Sequence, residues 1–378
     1  MTAHLPPLAW DRILGWRMRR QLLDPIGRLD VPATVRATCG IQAQVASAAE
    51  LAVAVRRDPP RRGAASKALE GRKLLRTWAM RGTLHLLAPE DAAAYLSLVG
   101  AVRTWERPAW QRTFGLSVAE IELLAEAVTE VLDGRVLERE ELIEEIASRS
   151  GNRDLDEHLR SGWGAVLKPL AFMGLLCNGP ARGNRVTFTS PRSWLEHWTG
   201  IPEPAEAARV VIPAYLRAYG PARLETFDAW LTRGRSRKSD VRAWFQSLTE
   251  AGLLTQVAVE DVAKPFYALT TDVEDLQNTA PSNALRLLPG FDQYVLGPGT
   301  GDARVIAADQ RTLVSKTAGW IAPVVVKGGR VIGTWELDGD LVALALFPGA
   351  ERPDPAELAG EAERLGACLG RELKVRPT

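Results

Sequence analysis

The chain has 378 residues, which is too many for one compact core, so its length predicts two to four modules. Hydrophobic residues make up 46% of the chain and charged residues 25%, which excludes a disordered tail or a collagen-like repeat. The formal net charge is +1, from 47 basic and 46 acidic residues, so any contact with nucleic acid has to come from a local basic face.

The first part of the chain is predicted to form four helices followed by a β-hairpin. Apolar spacing predicts helices at Trp10–Leu22, Pro32–Gly40, Val45–Arg56 and Arg61–Gly71, and strands at Leu75–Met80 and Thr83–Leu87. A turn at Arg81 and Gly82 joins the two strands, and a glycine is typical of such a turn. Two glutamines, Gln42 and Gln44, lie between the end of the second helix and the start of the third.

An internal repeat relates residues 161–176 to residues 239–254. Gly174 matches Gly252, as expected for two helices that each end at a left-handed glycine. Two shorter helices are predicted before each copy, and alternating strands follow at Arg185–Thr189 and Pro265–Leu269. Three helices and a hairpin are typical of a winged helix-turn-helix, and the first part of the chain is interpreted as a third, more diverged copy.

From about residue 283 the pattern changes to short alternating runs, which predict antiparallel strands. Pro-Gly, Gly-Gly and Asp-Gly turns separate them, and residues 287–297 belong to these runs. A final helix is predicted at Pro355–Leu369, and Lys374–Val375 is expected to return as an edge strand. Residues 201–204 and 272–281 are predicted linkers.

The predicted fold is therefore α+β: three tandem winged helix-turn-helix motifs followed by a small C-terminal antiparallel β-domain. The expected divisions are 1–115, which carries the two glutamines, then 116–200, 201–282 and 283–378.

The sequence lacks the usual signals for a metal, a nucleotide or a membrane. Three cysteines and four histidines stand far apart without a CxxC or HExxH motif, which predicts no zinc site and fits a reducing cytoplasm. There is no P-loop and no GxSxG motif. No stretch approaches about 18 apolar residues, so neither secretion nor membrane spanning is expected. We predict a cytoplasmic protein without metal or cofactor.

Four blocks of the chain, in order, resemble the AlkZ-like family of bacterial DNA glycosylases. They are QAQ at residues 42–44, TWAMRGTLHLLAPED at 77–91, LLPGFDQYVLG at 287–297 and VVKGGRVIGTWEL at 325–337. The resemblance implies a C-shaped DNA clamp and a catalytic Gln-x-Gln motif at Gln42 and Gln44; without it, these amides would be interpreted as solvent-facing groups at a helix junction. The Gln-x-Gln form resembles the branch linked to self-resistance in antibiotic producers, whose enzymes remove N7-alkylguanines and unhook interstrand crosslinks.

A catalytic motif of two amide side chains suits the removal of N7-alkylguanine. Alkylation at N7 makes guanine cationic, so the base leaves without a general acid, and the enzyme has to hold a water and favour an oxocarbenium-like sugar. An amide offers an acceptor for the water and a donor for a sugar or phosphate oxygen, and it is cheaper to desolvate than a carboxylate.

DNA contacts are also predicted in the matching blocks, in the basic run before the later repeat, and in the loop before the final strands, where the resemblance implies a DNA-facing hairpin or a basic contact. The predicted residues are Arg81, Thr83, His85, Arg235, Arg237, Lys238, Asp292, Arg311 and Lys316. For some of them a plainer interpretation stays open: an exposed turn for Arg81, a buried hydrogen bond for His85, a solvated loop for the basic run and a structural role for Asp292. The chain departs from the family where an Asp-Arg pair is expected, since residues 298–304 read PGTGDAR and only Asp302 and Arg304 are available there.

The predicted function is a monofunctional DNA glycosylase that hydrolyses the N-glycosidic bond of N7-alkylguanine in double-stranded DNA and acts as a monomer. A second hypothesis is a winged-helix transcription regulator without chemistry, although a regulator has no reason for paired glutamines outside its recognition helices. A third is a protein that shields crosslinked DNA without cutting it.

Overall fold

The computed structural model describes residues 6–150, 158–160 and 164–376 of a mixed α+β protein. Its helices are Trp10–Arg20, Val31–Ala37, Ala46–Ala54, Ala64–Glu70, Pro89–Gly100, Pro108–Phe114, Val118–Val131, Arg139–Ser150, Leu167–Phe172, Pro191–Trp194, Pro204–Tyr219, Leu224–Thr232, Lys238–Glu250, Val273–Asn278, Gln293–Leu296, Arg311–Val314 and Pro355–Leu369. Its strands are Ile41–Gln42, Leu75–Trp78, Leu84–Leu87, Leu137–Glu138, Cys177–Asn178, Thr187–Thr189, Leu254–Val259, Val262–Leu269, Leu285–Leu288, Val324–Lys327, Arg330–Asp338, Leu341–Leu346 and Lys374–Val375.

The first six strands form one sheet, although they come from two predicted parts of the chain. The short strand Ile41–Gln42 lies at its edge and pairs antiparallel with Leu84–Leu87, which places Gln42 opposite His85. The sheet continues into the second part of the chain where Arg76 pairs with Asn178. A hydrophobic core that extends from Cys39 to Leu269 lies against it. The hairpin of the first part therefore does not stand alone, because strands of the second part extend the same sheet.

The third part has the predicted order of three helices and a hairpin. The helices Pro204–Tyr219, Leu224–Thr232 and Lys238–Glu250 precede the antiparallel pair Leu254–Val259 and Val262–Leu269. Gly252 has φ +73° and Gly174, its match in the earlier repeat, has φ +71°, so both glycines adopt the predicted left-handed conformation. The earlier helix is described only over Leu167–Phe172, since residues 161–163 of the repeat lie outside the described residues.

The C-terminal sheet is antiparallel except at one edge, which corrects the prediction of a wholly antiparallel domain. Lys374–Val375 pairs in parallel with Leu341–Leu346. In the sequence the helix Pro355–Leu369 connects these two strands, and such a crossover lets the second strand run in the same direction as its neighbour. The predicted bounds of this helix and of the last strand are confirmed.

Two other expectations for the second half of the chain are wrong. Residues 293–296 form a short helix and not a strand, because the Asp292 carboxylate accepts a hydrogen bond from the backbone N–H of Tyr294 and caps the helix. The expected linker 272–281 contains the helix Val273–Asn278, whose Leu276 is buried against the N-terminal helix. Both segments carry apolar residues that tertiary contacts bury.

The N-terminal helix Trp10–Arg20 ties the third part to the C-terminal domain. Trp10 and Ile13 pack against the third hairpin, whereas Leu14 packs into the core of the C-terminal sheet. Arg17 is almost completely buried and donates hydrogen bonds to the carbonyls of Tyr219 and Pro221 and to Asp302. Asp302, which stands where the sequence departs from the family pattern, therefore pairs within the protein.

Candidate functional site

A cleft with a volume of about 800 Å³ lies where residues of all four parts of the chain meet. Among the predicted site residues, Gln42, Gln44, Arg81, Thr83 and Arg235 line it. The folded chain therefore brings both glutamines together with the turn at Arg81 and with the basic run before the helix Lys238–Glu250.

Gln42 and Gln44 face the cleft because they lie two residues apart on an extended segment. Side chains at i and i+2 share one face of a strand, and Ala43 between them points into the core with 1% exposure. The backbone N–H of Ala43 donates to Leu84, which holds the segment against the neighbouring strand. Gln42 is buried at 7% exposure, whereas Gln44 is exposed. The two amides thus have different environments: one is fixed and the other is open to solvent.

Arg81 holds the amide of Gln42 in place. It lies in the turn with φ 59° and ψ 10°, and its guanidinium donates to Gln42 Oε1 at 3.1 Å and to the Trp230 carbonyl at 3.0 Å. Burial lowers the pKa of Arg81 to about 10, so the side chain stays charged at neutral pH. Since Arg81 occupies Oε1, the Gln42 amide presents its Nε2 donor, for which no partner is found among the described residues.

His85 does not line the cleft; it is fully buried, as the plainer interpretation expected. Its Nδ1 lies 2.9 Å from the carbonyl oxygen of Thr83, which can only accept, so Nδ1 carries the proton. Burial, together with the smaller effect of the nearby charge of Arg81, lowers the pKa of His85 to about 3. The imidazole is therefore neutral at neutral pH. The predicted direct contact of His85 with DNA is therefore wrong, because no part of the ring reaches the surface.

Asp292 also lies away from the surface. Its carboxylate has no exposed area and forms an ion pair with Arg56, whose side chain is equally buried, at 2.7 Å. The same carboxylate caps the helix Gln293–Leu296. The predicted contact of Asp292 with DNA is corrected to the structural role that the sequence left open, because both of its oxygens are occupied inside the protein.

The cleft is basic although the chain as a whole is nearly neutral. Its lining cations are Arg81, Arg107, Lys168, Arg233 and Arg235, and none of the described residues that line it is Asp or Glu. Burial lowers the pKa of Lys168, and the neighbouring charges of Arg233 and Arg235 lower it further. Clustered cations without carboxylates suit the binding of a polyanion. Because the chain as a whole is nearly neutral, a contact with nucleic acid needs a local basic face, and the lining of the cleft is such a face.

Sequence reasoning missed Arg107, which belongs to no motif, and Lys168, which lies in the repeat at residues 161–176 but in none of the blocks that resemble the family. Arg107 precedes the helix Pro108–Phe114, and its guanidinium donates to the carbonyl of Arg235. Aromatic lining residues, including Trp110, Phe291 and Trp320, were missed as well. A lone basic or aromatic residue carries no signal of its own until the fold brings it beside others.

The remaining predicted residues are exposed but do not line the cleft. Arg237 and Lys238 stand at the start of the helix Lys238–Glu250. Arg311 and Lys316 lie in the segment that leads to the exposed turn at Gly319. They stay predictions as DNA contacts outside the cleft. Within the described ranges, no group of three His, Cys, Asp or Glu side chains is placed to hold a metal ion. No helix of the described chain is both long and apolar enough to cross a membrane.

Comparisons with known proteins point to one family. The family model described as DNA glycosylase AlkZ-like matches residues 35–368. An interstrand DNA cross-link repair glycosylase from Streptomyces sahachiroi is 45% identical over 370 residues, which cover 97% of this chain and 99% of that protein. The solved structure of the Streptomyces sahachiroi DNA glycosylase AlkZ superposes with a TM-score of 0.94 at 44% identity, over 98% of this chain and 100% of that one.

Proposed function

The chain belongs to the AlkZ-like family of DNA glycosylases, and we propose that it hydrolyses the N-glycosidic bond of N7-alkylguanine in double-stranded DNA. Family membership confirms the predicted resemblance and the enzyme class, and it disfavours the transcription regulator. The observation that supports the substrate is the lining of the cleft, which combines two amides and five cations with no described carboxylate.

A cleft of this kind suits a base that leaves without being protonated. A neutral base needs a proton as the glycosidic bond breaks, and a carboxylic acid or an imidazolium usually supplies it. Among the described lining residues the cleft offers neither a carboxylic acid nor an imidazolium, since His85 is buried and neutral. An N7-alkylated guanine already carries the positive charge and departs as a neutral base. The positive charge of the alkylated base thus replaces the proton that a general acid would otherwise have to donate.

We assign separate roles to the two amides. Gln42 is held by Arg81 and presents Nε2, which donates to an oxygen of the sugar or of its phosphate. Gln44 is exposed, and among the described residues its Oε1 makes only a long contact of 3.5 Å, with the backbone N–H of Leu84. It is therefore available to accept a hydrogen bond from the water that attacks the sugar. The basic side chains around them bind the flanking phosphates.

The proposal extends to the arrangement of the domains and to the oligomeric state. Three winged helices and the C-terminal domain form a C-shaped clamp on duplex DNA, and the protein works as a cytoplasmic monomer without metal or cofactor. Because a relative that is 45% identical is named for interstrand crosslink repair, we propose that this chain also unhooks crosslinks and removes bulky adducts. An accessible cleft favours this reaction, since a crosslinked base cannot be flipped into a closed pocket.

The test is incubation with a duplex that holds a single N7-methylguanine, followed by alkali. We expect strand breakage at the lesion only with enzyme, undiminished by EDTA, and no breakage at an unmodified guanine. A parallel reaction with a crosslinked duplex tests unhooking. A gel shift without any breakage would contradict the proposed reaction and favour the hypothesis of a shield that binds without cutting.

Arg81 is expected to act on the rate rather than on binding. Arg81→Ala removes the hydrogen bond that orients Gln42, and a hydrogen bond to a charged group contributes about 1.5–3 kcal/mol, so we expect excision to slow by about 10- to 100-fold. Arg81→Lys is expected to behave similarly, because an ammonium does not reproduce the two-point guanidinium contact. Single-turnover rates at saturating enzyme and separate affinity measurements check this. A weakened affinity with an unchanged rate would identify Arg81 as a phosphate contact instead.

A further inference from the structure

The segment that closes the C-terminal side of the cleft is a tight loop with Trp320 at its end. Ser315 and Ile321 pair across its base, and the backbone N–H of Lys316 donates a hydrogen bond to the Trp320 carbonyl at 2.8 Å. At its tip Ala318 and Gly319 both have positive φ, 56° and 76°. An alanine in this conformation is uncommon, so the backbone of the loop is defined by its own bonds and is not an open tail.

Trp320 is half exposed, at 50%, which is unusual for the largest apolar side chain. It is nevertheless supported. The edge of one ring meets the face of the other where Trp320 contacts Phe291, with ring centroids 5.0 Å apart and planes at 79°. Phe291 is itself only 8% exposed and precedes the buried Asp292. About half of the surface of Trp320 is thus available, while its contact with Phe291 anchors it to the C-terminal domain.

The position of this indole suits a nucleic acid base. Trp320, Ala318 and Gly319 line the same cleft as Gln42 and Gln44. Four of the lining cations, Arg107, Lys168, Arg233 and Arg235, come from the middle of the chain, whereas Phe291 and Trp320 come from its C-terminal domain. Charged groups that bind phosphates and an aromatic group that stacks are the two components of base-stacking nucleic acid sites.

We propose that Trp320 is a wedge that enters the duplex beside the lesion and stacks on the neighbouring base. Insertion of an apolar side chain at a base step unstacks the step and kinks the DNA. The opened step brings the sugar of the lesion to the two glutamines without flipping the damaged base into a pocket. Trp320 is therefore a positioning residue for the reaction, and this inference rests on the proposed function.

The test compares Trp320→Ala with wild type on two duplexes that differ only in the base pair next to an N7-methylguanine. On the fully paired duplex we expect the single-turnover rate to fall about tenfold, the size of one lost base–aromatic stack. On a duplex with a mismatch at that step the two rates should be equal, because the step is already open. Trp320→Phe should retain most of the rate on both.

The matched control is Leu313→Ala, since Leu313 is also exposed, at 42%, and lies in the helix Arg311–Val314 that precedes the loop, but it does not line the cleft. It should leave both rates unchanged. A second readout does not depend on cleavage: with a hydrolysis-resistant 2′-fluoro lesion, wild type but not Trp320→Ala should make a thymine in the adjacent pair reactive to permanganate.

Two failures are distinguishable. If wild type releases no base, the proposed reaction is wrong, and the permanganate measurement still tests the wedge. If wild type cleaves but Trp320→Ala loses the same rate on paired and mismatched duplexes, or loses none, then Trp320 does not open the duplex and the inference is overturned.

Discussion

Replacing Gln42 or Gln44 by alanine is expected to slow excision of N7-methylguanine by about 10²-fold while leaving folding and DNA affinity nearly intact. Losing one positioned hydrogen-bonding group typically costs about 10²–10³ in rate, or roughly 3–4 kcal/mol of barrier. We expect the smaller value because a cationic base departs partly unaided. Gln42→Ala also removes the acceptor of Arg81, so its effect should be at least as large as that of Gln44→Ala.

Gln44→Asp separates the roles of the second amide. A carboxylate still accepts a hydrogen bond from water and adds a negative charge beside the developing oxocarbenium ion, so activity on small methylated guanines should be retained. Gln44 is exposed, and the substitution should not perturb the fold.

Single-turnover rates on one N7-methylguanine duplex measure these effects, with melting curves as the folding control. Gln277→Ala serves as a matched glutamine outside the cleft, in the helix Val273–Asn278, and should have the wild-type rate. Full activity of the double variant Gln42→Ala, Gln44→Ala would remove the catalytic assignment and leave a DNA-binding role for the motif.

Asp292→Ala is expected to reduce the free energy of unfolding by about 3–5 kcal/mol, the usual effect of breaking a buried ion pair on one side. Asp292 and Arg56 are both at zero exposure and meet through two hydrogen bonds of 2.7 and 2.8 Å. Without the carboxylate, the guanidinium of Arg56 stays buried, and its remaining partners among the described residues are the Ala52 carbonyl at 2.9 Å and a longer contact to Gln21. The cost is therefore that of an uncompensated buried charge.

The pair also connects the site to the C-terminal domain. Arg56 lies just after the helix Ala46–Ala54, which begins two residues beyond Gln44, and Asp292 follows Phe291 of the cleft. Loss of the pair should thus lower stability first and activity only through folding.

Urea unfolding of Asp292→Ala, of Arg56→Met and of the combined variant measures this coupling. The combined variant should be more stable than the less stable of the two single variants, since neither charge is then buried alone. Asp340→Ala is the matched surface control, because the Arg371–Asp340 pair is exposed and should contribute less than about 1 kcal/mol. If Asp292→Ala lost no more stability than Asp340→Ala, the buried pair would not hold the two parts together.

Elements with local signals at both ends were predicted from the sequence alone. The last helix is the clearest case: Asp354 caps it, Pro355 occupies its first turn, and Gly370 ends it with φ 70°, so both predicted bounds agree with the structure. The glycines that end the two repeated helices follow the same rule. Hydrogen bonds and backbone preferences within a few residues determine such features, and a sequence displays them directly.

The pairing of Gln42 with Gln44 on one face also follows from the sequence, because a spacing of two places both side chains on the same side of any extended segment. The residues that contact or support this motif cannot be predicted from the sequence in the same way. Arg81 reaches Trp230, which lies 149 residues further along the chain, and Arg56 pairs with Asp292 at a separation of 236. Contacts at such distances depend on how the parts pack, and no local pattern records them.

The tertiary structure therefore decided which titratable residues are functional candidates and which are structural. Asp292 and His85 belong to the blocks that resemble the family, yet packing buries them; Arg107 and Lys168 lie outside those blocks, yet packing brings them into the cleft. A parallel edge strand replaced an antiparallel one because a helix intervenes before the chain returns. Sequence periodicity determined the elements, whereas burial and charge pairing between distant elements determined the site, because desolvation depends on every part that covers a side chain.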